Sequence, residues 1–560
     1  MTMQFSADAI FLRIQDVASL FQDPDARAAH LLCDRHDPQR VAYRVVSPQL
    51  SATDLTYHDL RERSERLAAA LSALGVRRGD RVATLMGKSA ACLTTVLAIW
   101  RLGAVHVPLF TAFAVPAIVE RLIRSGTKIV VCDQSQQSKL APGEDVPAPA
   151  PWRIITTATG PDMMPDAINF AELLATHPPG FQAAAVGGEG PVIEIYTSGT
   201  TGRPKGVVVP LKALASFQLY GEFALDLRAG DVFWNAADPG WAYGLFFGIL
   251  SALTTGVMGI LFEGGFSAES TFAVMDRYGV TNFAAAPTVY RSLRASGLTP
   301  PSDLKLRCAS SAGEPLTPEV NEWAKAALGV EVHDHYGQTE TGMLINNHHN
   351  PALRRPLRPG SMGHPMPGWT AGIFKHDHDE PAPAGEVGRL AFDLARSPLA
   401  WFQGYVNDAA KSGEKFNADG RWYITGDIAR VDENGYFYFS SRDDDVIIMA
   451  GYRIGPFEVE SVLVTHPAVR ECVVVAVPDA IRGEVIEAAV VLREGQTASS
   501  ELTDELQGWV KSRYAAHAYP RRVHYLDSLP KTPSGKIQRF VVRQQLRRNA
   551  EAQGELQGEA

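Results

Sequence analysis

Residues 196–206, YTSGTTGRPKG, follow the apolar VIEI and precede VVVP. A loop carrying Thr197, Ser198, Gly199, Thr200, Thr201, Gly202 and Lys205 between two strands can turn backbone N–H groups, several hydroxyls and one ammonium toward phosphates. The spacing is not GxxxxGK[ST], which speaks against a P-loop kinase or ATPase. A Gly/Ser/Thr cluster can also be an ordinary turn, but the density of donors over eleven residues favours a phosphate cradle.

Further segments follow in order: AGEP at 312–315, YGQTETG at 336–342, YITGD at 423–427, SRDDDVIIMAGYRIGPFEVE at 441–460 and PKTPSGKIQR at 530–539. Together with the first run they resemble the signatures of the adenylate-forming superfamily, which includes acyl-CoA synthetases, luciferases and peptide-synthetase adenylation domains. The short- and medium-chain acyl-CoA synthetases are the most similar branch. The resemblance spans most of the chain and implies ATP-dependent formation of an acyl-adenylate, then acyl transfer to the thiol of coenzyme A.

The resemblance also implies roles residue by residue. Gly313, Glu314 and Pro315 would line an adenine pocket in which Tyr336 stacks on the base, a task suited to an aromatic face. Asp334, His335, Gly337, Gln338 and Thr339 would complete the nucleotide-binding stretch, Thr339 at the α-phosphate and Glu340 at a Mg²⁺ ion. Asp427 would accept both ribose hydroxyls, and Arg442 and Arg453 would contact the nucleotide. The reaction sets one anion, a carboxylate, against another, a phosphate, so cations must converge there. Lys536 matches the lysine that bridges the two in adenylation, with Thr339 and Glu340 beside it in the catalytic set. Asp444 matches a hinge, about which a small domain would rotate to present Gly451 and Tyr452 to a pantetheine tunnel.

The acyl pocket is implied at Trp241, Ala242, Tyr243, Ala312 and Gly337. Acetate-specific relatives carry a tryptophan where this chain has Gly337. Its absence, with two small alanines, predicts a medium-chain, branched or cyclic acid in preference to acetate. An aryl-CoA ligase is the main alternative. An enzyme loading a carrier protein and a non-catalytic nucleotide-binding regulator are further rivals, the latter opposed by Lys536, Glu340 and Asp427.

Behind these motifs, the elements alternate. RVATLMG at 81–87, AVHVPL at 104–109 and TKIVVCD at 127–133 read as buried strands, and 89–103 and 112–126 as helices ending at glycines. This α/β pattern predicts a large N-terminal domain of mixed and parallel sheets flanked by helices, over 1–441. Beyond 441 the pattern shortens to a helix near 456–465, strands at 468–477 and 484–492, and a helix at 500–515. That predicts a small mobile α+β domain over 442–548, and a disordered tail over 549–560. The segment DEPAPAGEVG at 379–388 reads as a loop inside the larger domain.

The 560 residues, 21% charged and 46% hydrophobic, suit a globular protein of more than one domain. A net charge of -9 argues against nucleic acid as a partner. Five dispersed cysteines form no CxxC pair, and the first residues show no secretory pattern, so a reduced, cytoplasmic chain is expected. The uncharged run 241–262 is long enough for a membrane span, but Thr254, Thr255 and Gly256 split it into a buried helix and a central strand. The partners are thus a carboxylic acid, ATP, Mg²⁺ and CoA, and a homo-oligomer is compatible with this reading.

Overall fold

The computed structural model describes residues 7–197, 204–376, 378–449, 452–479, 483–515, 517–532 and 536–552. The chain folds as two compact units, residues 1–370 with 393–421, and residues 371–392 with 422–560.

In the first unit a seven-stranded sheet runs in the order Ile168–Asn169, Arg153–Thr156, Ile129–Cys132, Arg81–Leu85, Val105–Pro108, Pro191–Thr197 and Lys205–Pro210. All neighbours are parallel except the last pair, an antiparallel hairpin. The strand–helix alternation expected from sequence is therefore present. The helix Ala90–Leu102 starts where the Ser89 side chain accepts the Cys92 N–H, and ends at Gly103 with φ 75°. Every residue from Cys92 to Leu102 is buried, as befits a helix wrapped by a sheet and its neighbours.

The second sheet of this unit has a parallel centre: Val332–Gln338, Cys308–Ala312, Asn282–Ala285, Val232–Asn235, Met258–Phe262 and Val41–Val46. Antiparallel strands Gly342–Asn346 and Ser361–Pro365 flank one side, and Ala52–Thr56 the other. The apolar run 241–262 becomes a π-helical stretch, Tyr243–Leu250, a short helix, Ser251–Thr255, a left-handed Gly256, and the buried central strand Met258–Phe262. Among the described residues no helix is long and apolar enough to cross a membrane.

In the second unit Ala371–Phe374 pairs with Gly388–Asp393, and Trp422–Val431 with Phe437–Arg442, all antiparallel. The loop 379–388 thus connects two paired strands, and it falls in this unit rather than in the larger one. Its strands are drawn there by pairing, which a composition-based reading of a Pro- and Gly-rich loop does not register. Beyond them Val469–Asp479 and Gly483–Leu492 form a long antiparallel pair, extended by Ile447–Met449 with Tyr452–Ile454 and by the parallel Arg522–Tyr525. Helices Pro456–Leu463, Ser500–Arg513 and Arg539–Ala552 accompany this sheet, with Val459, Leu463, Val473, Val475, Ile486, Val490, Leu506, Val510 and Val542 in its core. The last helix continues to Ala552, four residues into the expected tail, because its amphipathic start at Val542 and Leu546 is anchored in that core. Residues 553–560 lie outside the described residues. All five cysteines are free and buried.

Candidate active site

The phosphate-cradle sequence is the tip of the hairpin formed by Pro191–Thr197 and Lys205–Pro210, with Thr197 and Lys205 as its last paired residues. Ser198, Gly199, Thr200, Thr201 and Gly202 lie outside the described residues. The root of the hairpin is rigid. Buried Glu194 accepts the Tyr196 hydroxyl at 2.6 Å and Arg81 Nε at 3.1 Å. Lys205 projects its ammonium over the ring of Tyr405, 5.1 Å from the centroid.

The strand Cys308–Ala312 delivers Gly313, at φ +101°, and then Glu314 and Pro315. The Glu314 carboxylate accepts Arg291 Nη2 at 2.7 Å and the Thr288 hydroxyl at 3.0 Å, so it braces the turn against the helix Pro287–Ala295. On the adjacent strand Val332–Gln338, buried Asp334 accepts the Leu316 N–H at 3.4 Å. Burial pushes the Asp334 carboxyl up to about 8, which holds it largely protonated at neutral pH. The His335 ring turns the other way. Its Nε2 donates to the Asn347 carbonyl at 3.1 Å and its Nδ1 accepts from the Tyr220 hydroxyl at 2.8 Å. Burial holds this imidazole well below its usual range, so it is a neutral core group with both ring nitrogens bonded within the protein. Tyr336, Gly337 and Gln338 are half-buried at the end of the strand.

Gly337 sits at a register irregularity in the pairing with Gly342–Asn346. A Cβ built on Gly337 would overlap the Gly342 carbonyl oxygen and lie 2.7 Å from Met343 Cα, both backbone atoms. Glycine is therefore required by the close approach of two strands. This close approach gives Gly337 a local backbone reason to be glycine, beside the one expected at the acyl pocket.

After the strand come Thr339 and Glu340. Glu340 is 9% exposed, and its Oε1 accepts the Tyr405 hydroxyl at 2.7 Å. Its second oxygen has no hydrogen bond among the described residues, and a hard carboxylate oxygen suits magnesium. Among the described residues no group of three or more His, Cys, Asp or Glu could hold a metal ion. Magnesium bound through one carboxylate, phosphates and water needs no such group.

Trp241 and Tyr243 meet edge to face with centroids 5.8 Å apart, and Tyr243 packs on Phe247 at 6.0 Å. Ala242 and Ala312 are buried, at 7% and 0% exposure. Asp238 shapes this loop by accepting the Gly240 N–H at 2.7 Å and the Thr111 hydroxyl at 2.9 Å.

In the second unit Asp427 is buried on Trp422–Val431, directly opposite Arg442 on the neighbouring strand. Arg442 Nε lies 3.5 Å from Asp427 Oδ1 and 3.4 Å from Asp444 Oδ1, so one guanidinium links the carboxylate expected at the ribose to the aspartate expected at the hinge. Next to Asp444, Asp445 is gripped by Arg539 at 3.4 Å and Arg543 at 2.9 Å. Lys536 sits on a hairpin closed by Thr532 N–H to the Lys536 carbonyl, 2.7 Å, and Gln538 N–H to the Pro530 carbonyl, 2.8 Å. Gly451 lies outside the described residues, as do the side chains of Tyr452 and Arg453, whose backbone pairs with Met449 and Ile448.

Tyr405 was not among the residues expected from sequence. Its signal was an aromatic directly after Gly404 in a loop, too common a pattern to single out.

A large α/β unit followed by a small α+β unit is the architecture of the adenylate-forming enzymes. The family model described as AMP-binding enzyme matches residues 33–406, and that of the AMP-binding enzyme C-terminal domain matches residues 458–536. The chain belongs to the AMP-binding enzyme family, as an AMP-forming acyl-CoA synthetase. It is similar to the acetyl-coenzyme A synthetase of Bacillus subtilis (strain 168), 36% identical over 493 residues, covering 87% of this chain and 84% of that one. The crystal structure of a Brucella canis acyl-CoA synthetase is 42% identical, with TM-score 0.75 and coverage of 98% and 99%. A benzoate CoA ligase from Burkholderia xenovorans LB400 is 31% identical, with TM-score 0.82 and coverage of 92% and 100%.

Proposed function

We propose that this acyl-CoA synthetase activates a medium-chain, branched or cyclic acid in preference to acetate, and passes the acyl group to coenzyme A. The observation that supports the reading is that Ala242 and Ala312, at positions expected of the acyl pocket, are small and buried, while Trp241 and Tyr243 meet edge to face. Small residues at acyl-pocket positions would leave depth for methylenes, each contributing about 0.8 kcal/mol on burial.

In the adenylation step Lys205 and the hairpin tip would hold the phosphates, Asp427 the ribose, and Thr339 the α-phosphate. Lys536 would place its charge between carboxylate and phosphate, offsetting the repulsion of two anions. A magnesium ion, held through Glu340, supplies further charge neutralisation on phosphate oxygens when bound. The protonated Asp334 adds no negative charge near the nucleotide. Residues 442–548 are proposed to act as the mobile domain, with Asp444 as the hinge and the 451–452 segment at the CoA thiol.

The similarity to a benzoate CoA ligase, with the aromatic pair at the wall, favours an aromatic acid as the second reading. A screen of CoA-thioester formation from acetate to dodecanoate, with benzoate, separates the two. Acetate giving the highest kcat/KM would sink the proposal, and benzoate giving it would favour the second reading.

A further inference from the structure

Tyr405 belongs to a loop to which no nucleotide role has been attached, yet it touches two separate parts of the site. Its hydroxyl donates to Glu340 Oε1 at 2.7 Å, with both residues buried. The face of its ring lies under the Lys205 ammonium, 5.1 Å from the centroid. Its own position is fixed from four directions. Tyr405 forms a backbone bridge to Val207, and Val406 N–H donates to the Gly206 carbonyl at 2.8 Å. Its N–H donates to Ser412 Oγ at 2.8 Å, and Phe402 meets the ring edge to face at 5.2 Å. The approach is close: a Cβ on Gly206 would sit 3.2 Å from Val406 Cβ, so the glycine next to Lys205 permits this docking.

We propose that Tyr405 is a positioning residue that sets the spacing between the metal-type carboxylate and the phosphate-hairpin lysine. This rests on the nucleotide-binding reading above. With Oε1 occupied by the tyrosine hydroxyl, Glu340 is held in one rotamer and offers Oε2 to a cation. The ring meanwhile keeps the Lys205 ammonium near the phosphates and away from the carboxylate. Without Tyr405 the two opposite charges would be free to pair with each other, and each would be lost to the nucleotide. The two contacts use different parts of one side chain, which makes them separable by substitution.

The test is ATP binding to the full-length protein by calorimetry, in EDTA and across a Mg²⁺ titration, for wild type, Tyr405→Phe and Tyr405→Leu. Tyr405→Phe keeps the ring and its Phe402 contact, so folding, checked by thermal melting, is expected to hold. It should leave ATP affinity in EDTA unchanged and raise the Mg²⁺ concentration for half-maximal enhancement by about 10-fold, the effect of losing a charge-assisted hydrogen bond. Tyr405→Leu should show the same Mg²⁺ shift and also bind ATP about 3-fold more weakly in EDTA, because the cation–π contact is gone. In a Glu340→Gln background, Tyr405→Phe should cause no further Mg²⁺ shift. A wild-type Mg²⁺ dependence in Tyr405→Phe, or equal EDTA affinities for the Phe and Leu variants, would overturn the proposal. Failure of the wild type itself to bind ATP would instead overturn the nucleotide-binding reading on which it rests.

Discussion

Gly337 and Gly342 approach each other across an irregular antiparallel pair so closely that a Cβ on Gly337 would overlap the Gly342 carbonyl oxygen. A side chain there must displace backbone, not a flexible neighbour. Gly337→Ala should therefore destabilise the protein by about 1–3 kcal/mol, the range for overpacking a tight site. The shift in urea midpoint measures it. Gly337→Trp should lose stability further without acquiring a preference for acetate, which the ratio of kcat/KM for acetate and hexanoate reports. A stable Trp variant selective for acetate would assign Gly337 to the acyl pocket.

That relationship marks a limit of reading the chain as a string. The motif YGQTETG at 336–342 was legible from its residue types, but the strand Val332–Gln338 was not read, and the register shift after Tyr336 depends on where Gly342–Asn346 docks, which no local pattern encodes. His335 shows the same limit, since which face of a strand meets Tyr220 is set by the helix packed behind it. Ordered motifs and the strand–helix alternation near 81–133 were legible because they are local: apolar periodicity with glycine stops at 103 and 126. The placement of 371–392 with the later part of the chain was not, because strand pairing joins segments distant in sequence. Tyr405 acts only through residues 65 and 200 positions away, Glu340 and Lys205.

The buried histidines predict a pH dependence of stability. His106 has Nε2 2.8 Å from the Thr84 hydroxyl, while its Nδ1 has no partner among the described residues. Burial lowers His106 to about 3, and His36 and His333 each to about 4. The folded state keeps these rings neutral, whereas the unfolded chain protonates them near pH 6.5. Below 6.5 the unfolded state thus binds more protons, and stability falls as pH falls, by about 1.4 kcal/mol per pH unit for each group, until the folded values are reached. Between pH 8 and 7 urea midpoints should rise slightly as pH falls, because the folded state protonates Asp334 there and the unfolded chain does not, and from 6 toward 4 the three histidines outweigh it and the midpoints should decline. His106→Gln should remove one proton from that slope, and an unchanged slope would show that His106 is charged in the folded state.

Arg101 predicts a large local cost. It is 1% exposed and holds Asp34 with two bonds of 2.9 and 2.6 Å, with Ser64 Oγ at 3.2 Å. Removing the carboxylate leaves a buried guanidinium short of its main partner, a change that costs about 3–5 kcal/mol. Asp34→Ala should lower the urea midpoint accordingly, while Arg44→Ala, which breaks the exposed Arg44–Asp54 pair, should cost less than about 1 kcal/mol. Equal losses would mean that the Asp34–Arg101 pair is solvated.

Lys536, as the proposed adenylating cation, is expected to separate the two half-reactions. Its backbone is tied to Thr532 at both N–H and carbonyl, at 3.0 and 2.7 Å. Replacement by alanine leaves those backbone bonds in place and removes only the ammonium, so the fold should survive, as a melting curve would show. The charge is needed when carboxylate and α-phosphate meet, and not when a thiol attacks an acyl-adenylate already formed. Lys536→Ala should therefore reduce ATP–pyrophosphate exchange by about 10²–10³-fold, the scale for one electrostatic group in a transition state. Thioester formation from supplied acyl-AMP and CoA should remain largely intact. Equal loss of both steps would place Lys536 in a general structural role and leave the adenylating cation to be sought elsewhere, beginning with Lys205.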